Sequence, residues 1–433
     1  MPRIEPFKGI LYNPKKVEIS KVVAPPYDII SPEMQEELYR ADEHNIVRLI
    51  LGKEEAGDSE ANNKYKRAGE FFNKWLRENA MAQDKAPAVY VYAQVYSTLG
   101  KKKLQLGFIA LIKIEDPSKT KVRPHENTFA KPKEDRLNLI REVHANLSCI
   151  FTLFRDKNGS VEKILKSTAK KKPLFNIVYD DVRHKLWRMD DKKLINKIQK
   201  AMEKKEIFIA DGHHRYEASV MYHDEMEKKQ RTDKDKGHGY AMMYFTPISE
   251  EALTILATHR LVKNIYMDPG LFIEKLKAYF HVKEEASLKG LLKKMAAAKK
   301  NEYLLGMYLR SGKLYLLNLN LKKPNTLDRL IKENRSDAWK RLDVSVLHGV
   351  ILNNILGLKD KVKDEDNIVY TRDPEFVRKE MEKGKFDAAF LLNPTKVDQV
   401  RQIAEIGDRM PHKSTYFYPK LVTGLVINKH VRD

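Results

Sequence analysis

The stretch Ile207–Ser219, IFIADGHHRYEAS, changes character at its fifth residue. Four apolar residues, Ile207–Ala210, predict a short buried strand, and the pattern that follows Gly212 predicts a helix. A glycine at such a junction can adopt positive φ and lets the backbone approach a ligand closely. The stretch therefore predicts a strand, a tight turn and a helix in direct succession.

The residues of this turn are typical of a phosphate-binding site. The first N–H groups of a helix and the positive end of its dipole attract anions. Arg215 can hold a phosphate through two hydrogen bonds, and His213 and His214 can donate others. Asp211 suits a helix cap or a ligand of Mg²⁺, which nucleotide phosphates bring with them. Two alternatives stay open: a cap and turn without a ligand, or a metal site, although adjacent histidines on a helix diverge.

Composition bounds the class of protein. A chain of 433 residues is longer than the chains that usually fold around a single hydrophobic core, so we expect about two or three packed units. The hydrophobic share of 42% excludes a disordered chain. Cys149 is the only cysteine, so no intramolecular disulfide can form, which fits a reducing compartment. Without an apolar run of about 18 residues or a signal peptide, we expect a cytoplasmic protein with no membrane partner.

The charge of the chain bears on its partners. The formal net charge is +21, but acidic residues interleave with the lysines. Such runs are typical of solvated helix faces, so nucleic acid is the disfavoured partner. The positive field would still attract nucleotides and other small anions.

The remaining periodicity predicts a mixed fold. Residues 59–79 repeat apolar side chains at helical spacing, and residues 134–147 predict another helix. Residues 88–97 and 104–115 alternate around a short turn and predict a hairpin. Further helices and strands mix to the C-terminus, which indicates an α/β (mixed α+β) fold. We expect residues 1–250 to contain the phosphate-binding core and residues 251–433 to form a C-terminal α/β domain.

A second polar segment, RPHENTFAK, follows a predicted strand. Its polar residues are Arg123, His125, Glu126, Thr128 and Lys131. One carboxylate among cations suits a general base in an anion site, since it can take a hydroxyl proton while the cations hold phosphate. Two prolines predict a rigid, non-helical segment up to Pro132. The alternative is a solvated surface loop.

Two further segments combine cations with hydroxyl groups. The polar residues of MPHKSTYFYPK, residues 410–420, are His412, Lys413, Ser414, Thr415 and Lys420. Those of ATHRLV, residues 257–262, are Thr258, His259 and Arg260. Either set can bind a carboxylate or a phosphate, and ordinary basic loops are the alternative.

These motifs carry a family resemblance. IFIADGHHRYEAS resembles the strand–turn–helix signature of the ParB/sulfiredoxin superfamily, in the form found in archaeal free serine kinases, which phosphorylate serine with a nucleotide. RPHENT resembles the segment with their catalytic glutamate, and residues 381–415 resemble their C-terminal segment. The whole chain is also similar to a large family of bacterial and archaeal proteins with the recurrent words VAPPYDIIS, DGHHRYEA and THRLV.

The resemblance implies a ParB/sulfiredoxin-like nucleotide-binding core with an N-terminal extension. It also implies a kinase that uses ATP or ADP, with Mg²⁺, to phosphorylate free L-serine or a similar hydroxylated metabolite. The catalytic residues would be Glu126, as the general base, His125 and Asp211, which would also bind the metal. The donor would contact Gly212, His213, His214, Arg215, Arg123 and Thr128. The acceptor would contact Lys413, Ser414, Thr415, His259 and Arg260.

Two other functions remain open at this point. ParB-like proteins include nucleotide-binding regulators associated with DNA, and the positive charge of this chain fits such a protein. A metal-dependent phosphohydrolase would use the same histidines and carboxylates. The oligomeric state and the choice among ATP, ADP and pyrophosphate are not predicted.

Overall fold

The computed structural model describes residues 1–98, 100–116, 118–229, 237–249, 252–299, 302–321, 326–358 and 367–430. The chain divides into two units. Unit 1 comprises Met1–Pro124, Thr128–Thr254 and Pro419–Asp433, and unit 2 comprises His125–Asn127 and Ile255–Tyr418. The boundary predicted between residues 250 and 251 falls outside the described residues, so that division stays a prediction.

The first twelve strands lie in unit 1. They are β1 (Ile4–Glu5), β2 (Ile10–Tyr12), β3 (Met81–Gln83), β4 (Val89–Thr98), β5 (Lys101–Lys113), β6 (Val122–Arg123), β7 (Ala145–Asn146), β8 (Ile150–Phe154), β9 (Phe175–Tyr179), β10 (Val182–Met189), β11 (Ile207–Asp211) and β12 (Tyr240–Pro247). Nine of these described strands form one sheet in the order β6–β11–β8–β12–β5–β4–β10–β9, with β1 beside β5. β11 is parallel to β6 and β12 is parallel to β8, whereas β8 and β11 are antiparallel. This mixed sheet confirms the predicted α/β class.

The predicted hairpin forms the long antiparallel pair of β4 and β5. The central strands are buried on both faces, so apolar residues occupy consecutive positions along them and do not simply alternate with polar ones. Phe108 packs against Phe245 and Phe154, with ring centroids 5.0 and 6.2 Å apart. These aromatic contacts fix the middle of the sheet from which β11 reaches the Gly212 turn.

Eight helices are described in unit 1. They are α1 (Ile19–Val22), α2 (Pro32–Ala41), α3 (Val47–Ile50), α4 (Lys64–Arg77), α5 (Ala130–Val143), α6 (Ser160–Thr168), α7 (Lys192–Met202) and α8 (His213–Lys228). Ser31 caps α2, because its hydroxyl oxygen accepts a hydrogen bond from the N–H of Met34. Across the described residues, the chain offers no helix with the length and apolarity needed to cross a membrane.

Helix α5 begins earlier than the sequence predicts. Its first residue is Ala130, so the expectation of a non-helical segment up to Pro132 is wrong. Pro132 lies in the first turn, where backbone N–H groups have no partner within the helix, so a proline removes no bond there. α5 packs on α8 through Leu137 and Ile140 against Ala218 and Tyr222.

Unit 2 contains a second sheet. The later strands are β13 (Thr254–Ile255), β14 (His259–Val262), β15 (Phe280–Glu285), β16 (Leu304–Leu309), β17 (Leu314–Leu319), β18 (Ile368–Thr371), β19 (Ala388–Leu391), β20 (Phe417–Tyr418) and, in unit 1, β21 (Asn428–Lys429). Six of them form an antiparallel sheet in the order β15–β17–β16–β19–β14–β18. Its apolar core includes Leu261, Leu291, Ala389 and Leu391.

Seven α-helices are described in unit 2. They are α9 (Pro269–Lys277), α10 (Leu288–Ala296), α11 (Thr326–Leu330), α12 (Asp337–Lys340), α13 (Asp343–Val346), α14 (Pro374–Glu382) and α15 (Val397–Ile406). A π-helical segment, Leu347–Ile355, directly follows α13. Wider turns of this type often occur at functional positions.

Candidate functional site

The predicted turn forms at Gly212. This residue has φ +92° and ψ 32°, the left-handed region in which glycine is favoured. A Cβ atom at this position would lie 2.8 Å from Nη2 of Arg215, because the guanidinium group folds back over the turn. The N–H of Tyr216 donates to the carbonyl of Gly212 at 3.0 Å and opens α8. Glycine is therefore required both by the backbone angle and by the position of Arg215.

Asp211 contacts two cations. Nη2 of Arg215 donates to Oδ2 of Asp211 at 2.7 Å, and Nζ of Lys420 donates to Oδ1. The side chains of Asp211 and Arg215 are only 15% and 12% exposed, so water screens this ion pair weakly. Nη1 of Arg215 also donates to the carbonyl of Cys149. These contacts hold Arg215 against the turn and bring Lys420, from the cationic segment 410–420, to Asp211.

Cys149 itself contributes its carbonyl rather than its thiol. The residue is partly buried, and burial raises the pKa of its thiol to about 12. The thiol therefore stays protonated at neutral pH, which does not suit a nucleophile.

The two adjacent histidines diverge. His213 is buried, whereas Nε2 of His214 accepts a hydrogen bond from the N–H of Phe129 at 3.1 Å. Thr128 donates to Oε2 of Glu217 at 2.5 Å, so it contacts α8 just beyond the turn. Among the described residues, neither histidine belongs to a group of three side chains able to hold one metal ion.

Arg123 lies apart from these contacts. Its Nε donates to Oε1 of Glu206 at 3.2 Å and its Nη1 to the carbonyl of Thr120 at 3.3 Å. The side chain is 36% exposed.

Unit 2 brings together residues from two distant segments. The hydroxyl of Thr415 donates to Oε1 of Glu126 at 3.0 Å, and Nε2 of His125 lies 3.2 Å from the same hydroxyl. A hydroxyl has one proton, so Thr415 accepts from His125 while it donates to Glu126. His125 is fully buried, whereas the Glu126 side chain is 28% exposed. The result is a directed chain from His125 through Thr415 to an accessible carboxylate.

Backbone contacts fix the same segment. The N–H of Met410 donates to the carbonyl of His125 at 2.6 Å, and Nη1 of Arg409 donates to the carbonyl of Glu126 at 2.9 Å. The Glu126 backbone is therefore held independently of its side chain. Neither contact follows from the periodicity of the sequence.

The loop that carries Thr415 is a tight turn. Lys413 is exposed and adopts φ +54°. Ser414 is buried, and its hydroxyl donates to the carbonyl of Pro411 at 2.5 Å. Of these neighbours, Lys413 presents its side chain to solvent, whereas Ser414 supports the turn.

His259 and Arg260 lie in the interior of unit 2. Nη2 of Arg260 donates to the carbonyl of Lys413 at 2.9 Å, and Nη1 donates to that of Thr258. Burial lowers the pKa of Arg260 to about 10, partly offset by Tyr370. Burial, with the charge of Arg260, lowers the pKa of His259 to about 4. Arg260 therefore stabilises the Lys413 turn through backbone carbonyls.

The structure adds Arg136 to the residues near the Gly212 turn. A cavity in unit 1 is lined by Arg136, Arg215, Ser148 and Ser219, among others. The ring of Tyr27, from the VAPPYDIIS segment, lies 3.9 Å from the Arg136 guanidinium carbon. The sequence signal for this contact is weak because the two residues are 109 positions apart.

Comparison with known proteins gives distant structural likenesses. A solved free serine kinase in complex with AMP has 12% identity and a TM-score of 0.34, over 70% of this chain and 89% of that chain. A variant of free serine kinase in complex with ADP has 12% identity and a TM-score of 0.37, over 76% and 95%. A conserved hypothetical protein from Pyrococcus furiosus has 18% identity and a TM-score of 0.32, over 70% and 92%.

Family membership rests on the sequence. A search of curated proteins finds no match to this chain. The model of the family described as "Protein of unknown function (DUF1015)" matches residues 4–345. The match covers well over half of the chain, and the protein belongs to that family.

Proposed function

We propose that the protein is a phosphotransferase that moves a phosphoryl group from ATP or ADP to the hydroxyl of free L-serine or a similar small metabolite. The observation that carries this proposal is the hydrogen-bonded chain from His125 through Thr415 to Glu126. Its members come from the two segments that resemble the catalytic and C-terminal segments of free serine kinases.

The proposal assigns Glu126 as the general base. A base must be held firmly and must still be reachable by the substrate hydroxyl. The hydrogen bond from Thr415 orients the carboxylate, and the exposed 28% of its side chain leaves room for an acceptor to approach. His125 would position Thr415 from the buried side. Lys413, which is exposed, is the proposed contact for the carboxylate of the amino acid.

The proposal assigns donor binding to the Gly212 turn. The N-terminus of α8 attracts phosphate, and Arg215 and Lys420 contribute positive charge beside it. Phosphoryl transfer depends mainly on positioning and on stabilising negative charge, which such a turn supplies. Asp211 fits Mg²⁺ only as a single carboxylate ligand, with the other ligands coming from phosphate and water. Arg215 and Lys420 would then have to share or release that carboxylate.

The test is a product analysis. The purified protein is incubated with Mg²⁺, a panel of hydroxylated amino acids and, separately, ATP, ADP or pyrophosphate. We expect O-phosphoserine, identified by mass spectrometry, with one of the nucleotides. Absence of any phosphorylated amino acid with all three donors would refute the proposal.

A further inference from the structure

A second group of polar side chains lies near the other end of α8 in unit 1. Nδ1 of His223 lies 3.2 Å from Nδ1 of His238, and their rings are inclined at 29°. Oε1 of Glu227 lies 3.9 Å from His223 and 4.0 Å from Nε2 of His238. The three side chains offer ligand atoms that all lie within 4.8 Å of one another.

The local fold positions these residues. His223 and Glu227 are four residues apart on α8, so they project from the same face of the helix. His238 lies between Gly237 and Gly239, directly before β12. A Cβ atom at Gly237 would overlap the carbonyl oxygen of His430, so only glycine lets this segment approach so closely.

We propose that His223, Glu227 and His238 bind a divalent transition metal of the Zn²⁺ type. Two Zn–N bonds of about 2.0–2.1 Å at a tetrahedral angle place the nitrogens about 3.3–3.4 Å apart. The observed 3.2 Å between the two Nδ1 atoms is close to this separation. Glu227 is the exposed member, with 56% of its side chain exposed, and rotation of this side chain can bring its carboxylate, now 3.9 Å from Nδ1 of His223, into the range of a third bond.

The donor set discriminates between metals. Two imidazoles and one carboxylate favour Zn²⁺, Co²⁺ or Ni²⁺ over Mg²⁺, which prefers oxygen ligands. The site is therefore separate from the nucleotide-associated Mg²⁺ proposed at Asp211. Among the described residues it is the one group of three ligating side chains found.

A buried histidine adjoins this group. Both ring nitrogens of His430 are buried and have no hydrogen-bond partner among the described residues. The N–H of His430 donates to the carbonyl of His144 at 2.8 Å, which holds the C-terminal segment beside α5. The ring stacks on Tyr222, with ring centroids 5.5 Å apart, and lies outside the group of three ligating side chains. A bound metal would therefore tie α8 to the segment before β12.

The experiment measures binding of the metal alone. The full chain without a histidine tag is stripped with a chelator, dialysed and titrated with Zn²⁺, and the Co²⁺ form is examined for the visible bands of tetrahedral coordination. We expect one equivalent per chain. Glu227→Gln and His223→Ala should each weaken binding by about 100-fold or more, beyond the 10–100-fold typical of residues that only support a ligand.

His281→Ala is the matched control, because His281 is an exposed histidine in β15 of unit 2. It should bind Zn²⁺ like the wild type. Glu227→Gln changes a surface residue and is expected to fold, which circular dichroism checks. Less than a fifth of an equivalent in the wild type, or equal affinity in all variants, would overturn the proposal, whether or not the protein proves to be a kinase.

Discussion

The Gly212 turn makes a quantitative prediction for Gly212→Ala. The change adds one methyl group at φ +92°, where a side chain is strained, and 2.8 Å from Nη2 of Arg215. The left-handed conformation costs a non-glycine residue about 1–2 kcal/mol. The guanidinium is the end of a flexible side chain and can move away, but only by giving up Asp211 or the carbonyl of Cys149.

Loss of one such charged hydrogen bond costs about 1.5–3 kcal/mol. The sum predicts that Gly212→Ala lowers the free energy of unfolding by about 2.5–5 kcal/mol. Gly57→Ala separates the two contributions. Gly57 lies in unit 1 with φ +97°, but a Cβ atom there would meet nothing within 4 Å. The control should therefore show the backbone strain alone.

The assay is urea denaturation of the wild type and both variants, with midpoints compared at a common slope. We expect Gly212→Ala to be less stable than Gly57→Ala by about 1.5–3 kcal/mol. Nucleotide affinity should fall in Gly212→Ala and not in Gly57→Ala. Equal destabilisation by the two variants would show that Arg215 does not pack over the turn in solution.

Three further predictions concern other parts of the chain. Burial, opposed by Lys396, raises the pKa of Asp343 from 3.8 to about 7, so the stability that its protonated carboxyl contributes is complete below pH 4 and is lost as the pH rises through 7. Between pH 5 and pH 8, the free energy of unfolding of Asp343→Asn should therefore rise by roughly 2–4 kcal/mol relative to that of the wild type. Parallel curves of stability against pH would refute this prediction. Lys420→Met should lower the free energy of unfolding by about 2–3 kcal/mol in the same denaturation assay, because it leaves the Asp211 carboxylate poorly paired. Lys413→Met changes an exposed residue and should lower it by less than about 0.5 kcal/mol. Binding to duplex DNA at physiological salt should be negligible in a titration, and a nanomolar complex whose affinity falls steeply with salt would favour the DNA-associated alternative.

Local structure was the most predictable part of this protein. The apolar run Ile207–Ala210, the glycine and the following helix pattern correctly indicate β11, the Gly212 turn and α8. The hairpin of β4 and β5 is equally clear from alternation. Each of these signals depends on neighbours in the sequence, where periodicity is informative.

Contacts between distant segments were not predictable in the same way. Lys420 reaches Asp211 across 209 positions, and Pro419–Asp433 belongs to unit 1 although the residues before it belong to unit 2. The start of α5 at Ala130 does not follow from the sequence pattern, because Pro132 disfavours a helix interior whereas the first turn of a helix tolerates proline.

The candidate metal site lacked a local signature of its own. His223 and Glu227 have the spacing of a helix face, but His238 follows them across a charged segment without a known motif. Only the packing of Gly237 against His430 and the pairing of the two histidines bring the group together.

The measurement that tests the proposed kinase most directly is the turnover of Glu126→Gln. The substitution keeps the shape and the hydrogen bond from Thr415 but removes the basicity of the carboxylate. General-base catalysis contributes about 10²–10⁴ to the rate, so kcat should fall by that factor. The affinity for the nucleotide, measured separately by calorimetry, should stay within about twofold of the wild type, because the assigned partner of Glu126 is the acceptor hydroxyl. Wild-type turnover in Glu126→Gln would contradict the assignment of Glu126 as the base.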